Sequence, residues 1–217
     1  MNYIGWILFT FGVVRFLVSL VNLPANVLLP HGRRNSREKK ISILIPARNE
    51  EKNIGKLLHD LECLYDTPYE ILVYDDNSSD QTANIVEGFA RTNNSLRLVK
   101  GNDPDKGWLG KNFACHQLAQ QARGELLLFL DDDVRTGKNL LYRATWYTEK
   151  YKLALLSVFP KQIMSSAGSR IAVPLMNWIL LGLLPLPLVR LSKRVSLSAA
   201  NGQFMLFDRK QYMNILP

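Results

Sequence analysis

The sequence predicts an α/β fold: a mostly parallel sheet with helices on both faces, preceded by one N-terminal transmembrane helix. Three observations predict it. Short apolar runs alternate with stretches of helical spacing along residues 41–159, the pattern of a parallel sheet covered by its own crossover helices. A single charge, Arg15, interrupts the apolar segment 1–30. Two acidic clusters, Asp75–Asp76 and Asp131–Asp133, follow directly on two of the apolar runs, and ligands of parallel sheets bind at the carboxyl ends of strands.

The elements follow in order. ISILIP (41–46) is β-branched and reads as a buried strand. In ARNEEKNIGKLLHDLECL the residues Ile54, Leu57, Leu58, Leu61 and Leu64 recur at helical spacing. Arg48 or Asn49 then lies near the helix start, and Glu50 and Glu51 fill the first turn, where the helix dipole favours acids. YEILVY (69–74) is a second strand and DDNSSD a polar turn. QTANIVEGFARTN is a second helix with Asp80 as N-cap. LRLVKG is a third strand, GKNFACHQLAQQAR a helix ending before Gly124, ELLLFL a fourth strand, KNLLYRATWYTEKY a helix and LALLSVF a fifth strand.

The chain of 217 residues carries a net charge of +8. Residues 1–40 hold Arg15, Arg33, Arg34, Arg37, Lys39 and Lys40 against Glu38 alone. No basic stripe with interleaved aromatics accompanies them, which argues against nucleic acid and for an anionic membrane surface. A bilayer needs about 20 apolar residues, and a central arginine costs roughly 2.5–3.5 kcal/mol that the surrounding Ile, Leu, Phe and Val offset. The basic collar HGRRNSREKK places the following domain in the cytoplasm and the N-terminus outside. The start MNY lacks the basic residues of a signal peptide. Cys63 and Cys115 form no CxxC pair, and His31, His59 and His116 no metal-spaced set; both cysteines read as reduced and structural.

Ile171 to Val189 is a second apolar stretch, broken by Pro174, Pro185 and Pro187 and flanked by Arg170, Arg190, Lys193 and Arg194. It is expected to lie in the cytoplasmic leaflet as an interfacial or re-entrant segment, because a crossing would carry NGQFML away from the sheet. The expected organisation is an anchor (1–30), a basic linker (31–40) and an α/β domain (41–217) containing this segment.

Adjacent carboxylates repel unless a cation or a proton joins them. Mg²⁺ and Mn²⁺ take oxygen ligands and share them with diphosphates, so the acids at the strand ends point to a metal carrying a nucleotide diphosphate. PARNEE lacks the glycine-rich turn of a dinucleotide-binding oxidoreductase.

The series ISILIPARNEEKNI, EILVYDDNSSDQT, GWLGKNFA, GELLLFLDDDV and SAANGQFMLFDR resembles the family 2 glycosyltransferases of GT-A fold over about residues 41–217. GWLGKNFACHQLA and the apolar segment before NGQFML are similar to the membrane-associated branch near the hopanoid-associated and diaponeurosporenoate glycosyltransferases. The resemblance implies that Pro46, Arg48, Asn49 and Glu50 line the nucleotide pocket. Asp76, with Asp75 beside it, would meet a uracil, Lys111 would stand near the donor, and Asp132 would reach the ribose. Asp131 and Asp133 would be the DxD pair, with Asp133 the principal ligand of Mg²⁺ or Mn²⁺. Asn201, Gly202 and Gln203 would face the acceptor. The implied reaction is inverting, metal-dependent transfer from a nucleotide-diphosphate sugar, UDP-linked, to a lipid-like terpenoid or polyprenyl acceptor. The expected carboxylate base would lie beyond Pro217. The alternative is an inactive membrane protein that binds a nucleotide sugar.

Overall fold

Strand β1 (Ile41–Ala47) is buried along its whole length, and its side chains alternate between two cores. Ile41, Ile43, Ile45 and Ala47 join one hydrophobic cluster, and Leu44 joins the other. This period of two on a fully covered strand requires helices on both sides. The computed structural model describes residues 2–25, 29, 39–64, 69–102, 107–164, 166–192, 194, 197 and 199–215. Of the expected basic linker only Lys39 and Lys40 are among them.

The chain forms two units, one of Met1–Leu28 with Lys161–Ala199, the other of Leu29–Pro160 with Ala200–Pro217. The second holds a six-stranded sheet of order β3-β2-β1-β4-β6-β5. Strands β2 (Tyr69–Asp75), β3 (Leu96–Lys100) and β4 (Leu126–Leu130) run parallel with β1. Helices α2 (Ile54–Glu62), α3 (Thr82–Ala90) and α5 (Leu140–Tyr151) contribute Leu57, Leu61, Val86 and Ala144 to one core, and α4 (Gly110–Gln121) contributes Phe113 and Leu118 to the other. The mostly parallel sheet with helices on both faces is as the sequence predicts. Because β1 pairs with β2 on one side and β4 on the other, the strand order reverses there, and a crevice opens at the carboxyl ends of β1 and β4.

Three local expectations are corrected. Helix α2 starts at Ile54, not near Asn49, because Asn49 has φ +58° and cannot lie in a right-handed helix. Gln81 occupies the cap position of α3, while the Asp80 carboxylate accepts the N–H of Thr82 at 2.9 Å. The fifth strand shrinks to β5 (Leu155–Ser157), which pairs with an unanticipated strand β6 (Phe204–Asp208). Strand β6 runs antiparallel to both β4 and β5. It puts Phe204 and Leu206 into one core and Met205 and Phe207 against the other.

At the opposite edge of the sheet, Gly124 lets β4 enter beside β1. A Cβ at position 124 would stand 2.6 Å from both the backbone nitrogen and Oγ of Ser42. Ser42 Oγ accepts from Gly124 N at 2.8 Å and donates to Glu70. Gly124→Ala is expected to cost about 2 kcal/mol through this overpacking, read as a lower midpoint in denaturant melts of the purified protein.

In the first unit, α1 (Asn2–Ala25) contains Tyr3–Pro24, which is long and apolar enough to cross a membrane at mean hydropathy 2.1. Helix α6 (Ala167–Leu183) starts with a capping box between Ser166 and Ser169. It accommodates Pro174 inside its length, ends where LLPLPL begins, and gives way to the short α7 (Leu186–Leu191). Asn22 of α1 mends that break. Its Nδ2 donates to the carbonyls of Leu181 and Leu184 at 2.7 and 2.8 Å, and its Oδ1 accepts from Leu186 N at 2.7 Å. Backbone groups freed by proline breaks in apolar surroundings need such partners.

Candidate active site

The crevice is built from the loops after β1, β2 and β4 and from the start of α4. The β1 and β2 loops are laced together. Asn49 N donates to Ser78 Oγ at 3.0 Å, and Asn49 Oδ1 accepts from Ser79 N at 2.8 Å. Glu50 N donates to Thr82 Oγ1 at 2.8 Å, and Glu51 N to Asp80 Oδ2 at 3.1 Å. These bonds hold residues 49–51 to the β2 loop, with Asn49 in the left-handed region ahead of α2. Pro46 lies buried at the end of β1, opposite Tyr74.

Asp75 and Asp76 are both buried polar residues at the end of β2. Asp75 Oδ1 accepts from Ser78 N at 3.4 Å, so it shapes its own turn. The Asp76 side chain is largely covered, and its Oδ2 lies 3.3 Å from Arg48 Nη1. Gly110, the first residue of α4, lies so close that a Cβ there would stand 3.2 Å from Asp76 Oδ2. Leu109 at the start of α4 makes no side-chain cap bond, and the positive dipole end of the helix lies beside Asp76. One residue further, Lys111 Nζ reaches Asp131 Oδ1 at 2.7 Å. Burial works against the ammonium, but the Asp131 hydrogen bond and charge hold it above its ordinary range.

The three acids after β4 have three environments. Asp131 is paired with Lys111. Burial pushes the Asp132 carboxyl up to about 7, helped by a hydrogen bond to Glu50 and by the charges of Glu50 and Asp133. Glu50 and Asp132, carried by different loops, thus lie within reach of each other. Asp133 is exposed. Among the described residues no three carboxylate, imidazole or thiolate groups converge into a complete metal cage. The donor set nonetheless fits a hard cation, since Mg²⁺ is commonly held by one or two carboxylates together with substrate phosphates.

Asn201 and Gln203 form the turn that leads into β6. Asn201 Oδ1 accepts from Gln203 N at 2.8 Å, and Gln203 O accepts from Asp131 N at 3.1 Å. The structure thereby brings this segment to the first of the three acids, with Gly202 exposed between. Cys115 is half-buried and Cys63 exposed, both as free thiols. Burial pushes the Cys115 thiol up to about 11, which makes it an unreactive packing residue.

Sequence reasoning did not single out Asp60 and Arg135. Arg135 Nε and Nη2 grip the Asp60 carboxylate at 2.5 and 2.7 Å, and Thr136 N adds a third bond at 3.2 Å. The Arg135 hydrogen bond holds the Asp60 carboxyl below its ordinary range. This clamp ties the loop carrying Asp131–Asp133 to helix α2. No local signal could have found it, because its halves are far apart in the chain. Asp60→Ala leaves Arg135 and Thr136 N without their acceptor; it is expected to lower stability by about 1–3 kcal/mol, read by thermal melts, and to loosen the acidic loop, read by faster hydrogen exchange at residues 131–136.

Comparison with known proteins gives one family and one fold. The family description "Glycosyl transferase family 2" matches residues 42–209. The 4,4'-diaponeurosporenoate glycosyltransferase of Staphylococcus aureus (strain USA300) is 38% identical over 100 residues, which is 46% of this chain and 25% of that relative. The chain thus matches about a quarter of the length of the relative. The mannosyltransferase PcManGT from Pyrobaculum calidifontis, solved with GDP-Man and Mn²⁺, superposes with a TM-score of 0.64 at 16% identity, covering 95% of this chain and 56% of that one. Mannosyl-3-phosphoglycerate synthase from Rubrobacter xylanophilus gives a TM-score of 0.51 at 18% identity, covering 89% and 57%. At these identities the two structures speak for the GT-A fold alone.

Proposed function

Since the chain belongs to glycosyl transferase family 2, we propose that it binds a nucleotide-diphosphate sugar in the crevice at the ends of β1, β2 and β4 and passes the sugar, with inversion, to a lipid-like acceptor at a membrane. The observation that carries this reading is the convergence of Arg48–Asp76, Lys111–Asp131 and Glu50–Asp132 on one edge of the sheet at its switch point. On this reading Asp76 serves a base, Lys111 a diphosphate and the acids after β4 a hard metal.

Each residue has a role in the proposal. Asp76 accepts from the base, with UDP-linked donors expected from the resemblance, and Arg48 orients Asp76 through their ion pair. Pro46, Asn49 and Glu50 form the wall of the nucleotide pocket, and Asp75 holds the turn that presents Asp76. Lys111 and the first N–H groups of α4 face the diphosphate, where positive charge stabilises the leaving group. Asp132 lies towards the ribose. Asp133, with the free oxygen of Asp131, would hold Mg²⁺ or Mn²⁺; when bound, the ion supplies Lewis-acid stabilisation of the departing nucleoside diphosphate. Asn201, Gly202 and Gln203 face the acceptor. The acceptor oxygen must lose a proton to a carboxylate as it attacks the anomeric carbon. Asp208 is occupied in capping α8 (Arg209–Met213), accepting from Gln211 N.

The membrane part of the proposal is supported by the apolar span Tyr3–Pro24 and by the basic residues that follow it. It places α1 as an anchor, residues 31–40 as a basic linker, the catalytic domain in the cytoplasm and the apolar stretch 171–189 at the inner leaflet. The relative named for diaponeurosporenoate supports a terpenoid or polyprenyl acceptor. Calorimetric titration of UDP and UDP-glucose into the detergent-solubilised chain, with and without Mn²⁺, tests the donor site. Binding that Mn²⁺ strengthens is the expected result; no binding under either condition would favour an inactive descendant of the family.

A further inference from the structure

The unit formed by residues 1–28 and 161–199 carries side-chain charge of one sign only. Arg15, Lys161, Arg170, Arg190, Lys193 and Arg194 are matched by no aspartate or glutamate in either segment. In the sequence, most of these cations flank the apolar stretches. Arg15 does not. It stands inside α1, within the 22-residue apolar span.

Its surroundings have the form of a receptacle. The guanidinium carbon lies 4.0 Å from the ring centroid of Trp178 and 5.6 Å from that of Phe11. Gly182 leaves the room: a Cβ there would be 2.9 Å from Nη2 and 3.0 Å from Nε. A guanidinium carries five N–H donors. Among the described residues it makes one long bond, from Nη2 to the Trp178 carbonyl at 3.4 Å, and its Nε is buried with no acceptor. Asn22, two turns further along the same helix, is the counter-example, since both its amide atoms are bonded. Asn22 therefore accounts for the joining of α1 to α6 and α7, and Arg15 is left with unused donors. A cation inside an apolar span, without an anion, is costly and marks a functional position.

We propose that Arg15 is the anion-binding residue of a lipid site on this unit, taking the carboxylate or phosphate of a lipid whose apolar tail lies along α1 and α6. The planar fork suits either group in two-point contact. Stacking on Trp178 holds the fork in orientation while leaving its edge for the ligand. The assignment rests on the membrane placement proposed above and is independent of glycosyl transfer.

The test uses the full chain in a neutral detergent and titrates it with oleate, phosphatidylglycerol or phosphatidylcholine. Retained lipid is counted by native mass spectrometry, and the melting temperature is followed in parallel. Wild type is expected to retain and be stabilised by an anionic lipid and not by phosphatidylcholine. Arg15→Gln should weaken that retention at least tenfold, whereas Arg170→Gln, at the start of α6, should leave it unchanged. Gly182→Ala, which displaces the guanidinium and keeps its charge, should weaken it likewise and serves if Arg15→Gln does not fold. Response to oleate alone would identify a carboxylic acid of acceptor type; response to phosphatidylglycerol alone would identify a membrane phospholipid. Equal retention by wild type, Arg15→Gln and Gly182→Ala, or equal response to phosphatidylcholine, overturns the proposal. UDP titration of the same samples reads the donor site separately, so loss of one property is distinguishable from loss of the other.

Discussion

Asp133→Ala should bind UDP no more tightly with Mn²⁺ than without it. Asp133 is the exposed member of the acidic triplet, whereas Lys111 engages Asp131 and Glu50 lies against Asp132. It is therefore the carboxylate most open to a cation. A hard cation held by one or two protein carboxylates plus a diphosphate loses half or all of its protein ligands when Asp133 is removed. The metal-dependent gain in affinity should fall at least about tenfold, or ~1.4 kcal/mol. Exposed substitutions away from buried networks usually change stability by less than about 0.5 kcal/mol, so the melting temperature without ligand should stay close to wild type. Calorimetry at several Mn²⁺ concentrations measures the first effect and thermal melts the second. A Mn²⁺ response retained in full would move the metal to other ligands.

Asp132→Asn should make the ligand-free protein more stable at pH 8. Burial first, then the hydrogen bond and charge of Glu50 and the charge of Asp133, raise the Asp132 carboxyl to about 7. For a carboxyl raised in the folded state, the folded chain holds the proton that the unfolded chain releases. Stability from this group is then highest below the unfolded value of about 4. It declines as pH rises, and the penalty is complete above about 7. Asparagine keeps the shape and the hydrogen-bonding capacity and never ionises. Allowing for solvent screening at this partly open rim, the gain at pH 8 is on the order of 1 kcal/mol, or ~2–4 °C in melting temperature for a chain of this size. At pH 5 the two proteins should melt nearly together. Melts at pH 5 and 8 decide it, and a variant that melts lower at pH 8 would show that the Asp132 charge is satisfied in the fold. The same substitution should weaken donor binding, because the repulsion it relieves belongs to an acidic rim kept for a ligand.

Periodicity alone placed four parallel strands and the helices between them, since β1, β2 and β4 are apolar runs buried on both faces and Ile54, Leu57, Leu58 and Leu61 can share a face only in a helix. It failed at Asn49, where a left-handed residue and bonds to Ser78 and Ser79 shorten α2. It failed again at β6, whose pairing with β4 and β5 joins segments distant in sequence. Among site residues, the acids after β2 and β4 were legible because adjacent carboxylates repel unless a cation or a proton joins them. The pairings among them were not. Nothing local in Glu50 announces Asp132, nothing in Lys111 announces Asp131, and Gly110 is only a glycine until its neighbour is seen to be Asp76.

By itself, then, the order of residues determined the alternation of elements, the apolar span with its solitary arginine and the edge of the sheet where the chemistry belongs, because hydrophobic period and strand polarity are local properties. The tertiary structure alone decided which charges meet. Ion pairs and carboxyl contacts depend on distances of a few ångströms between side chains from different loops, and those distances are set by the packing of the sheet, the clamp of Arg135 on Asp60 and the close approach that Gly110 and Gly124 permit. The same holds within the apolar unit, where Gly182 and Trp178 surround Arg15 and Asn22 repairs the proline break, contacts between residues more than a hundred positions apart.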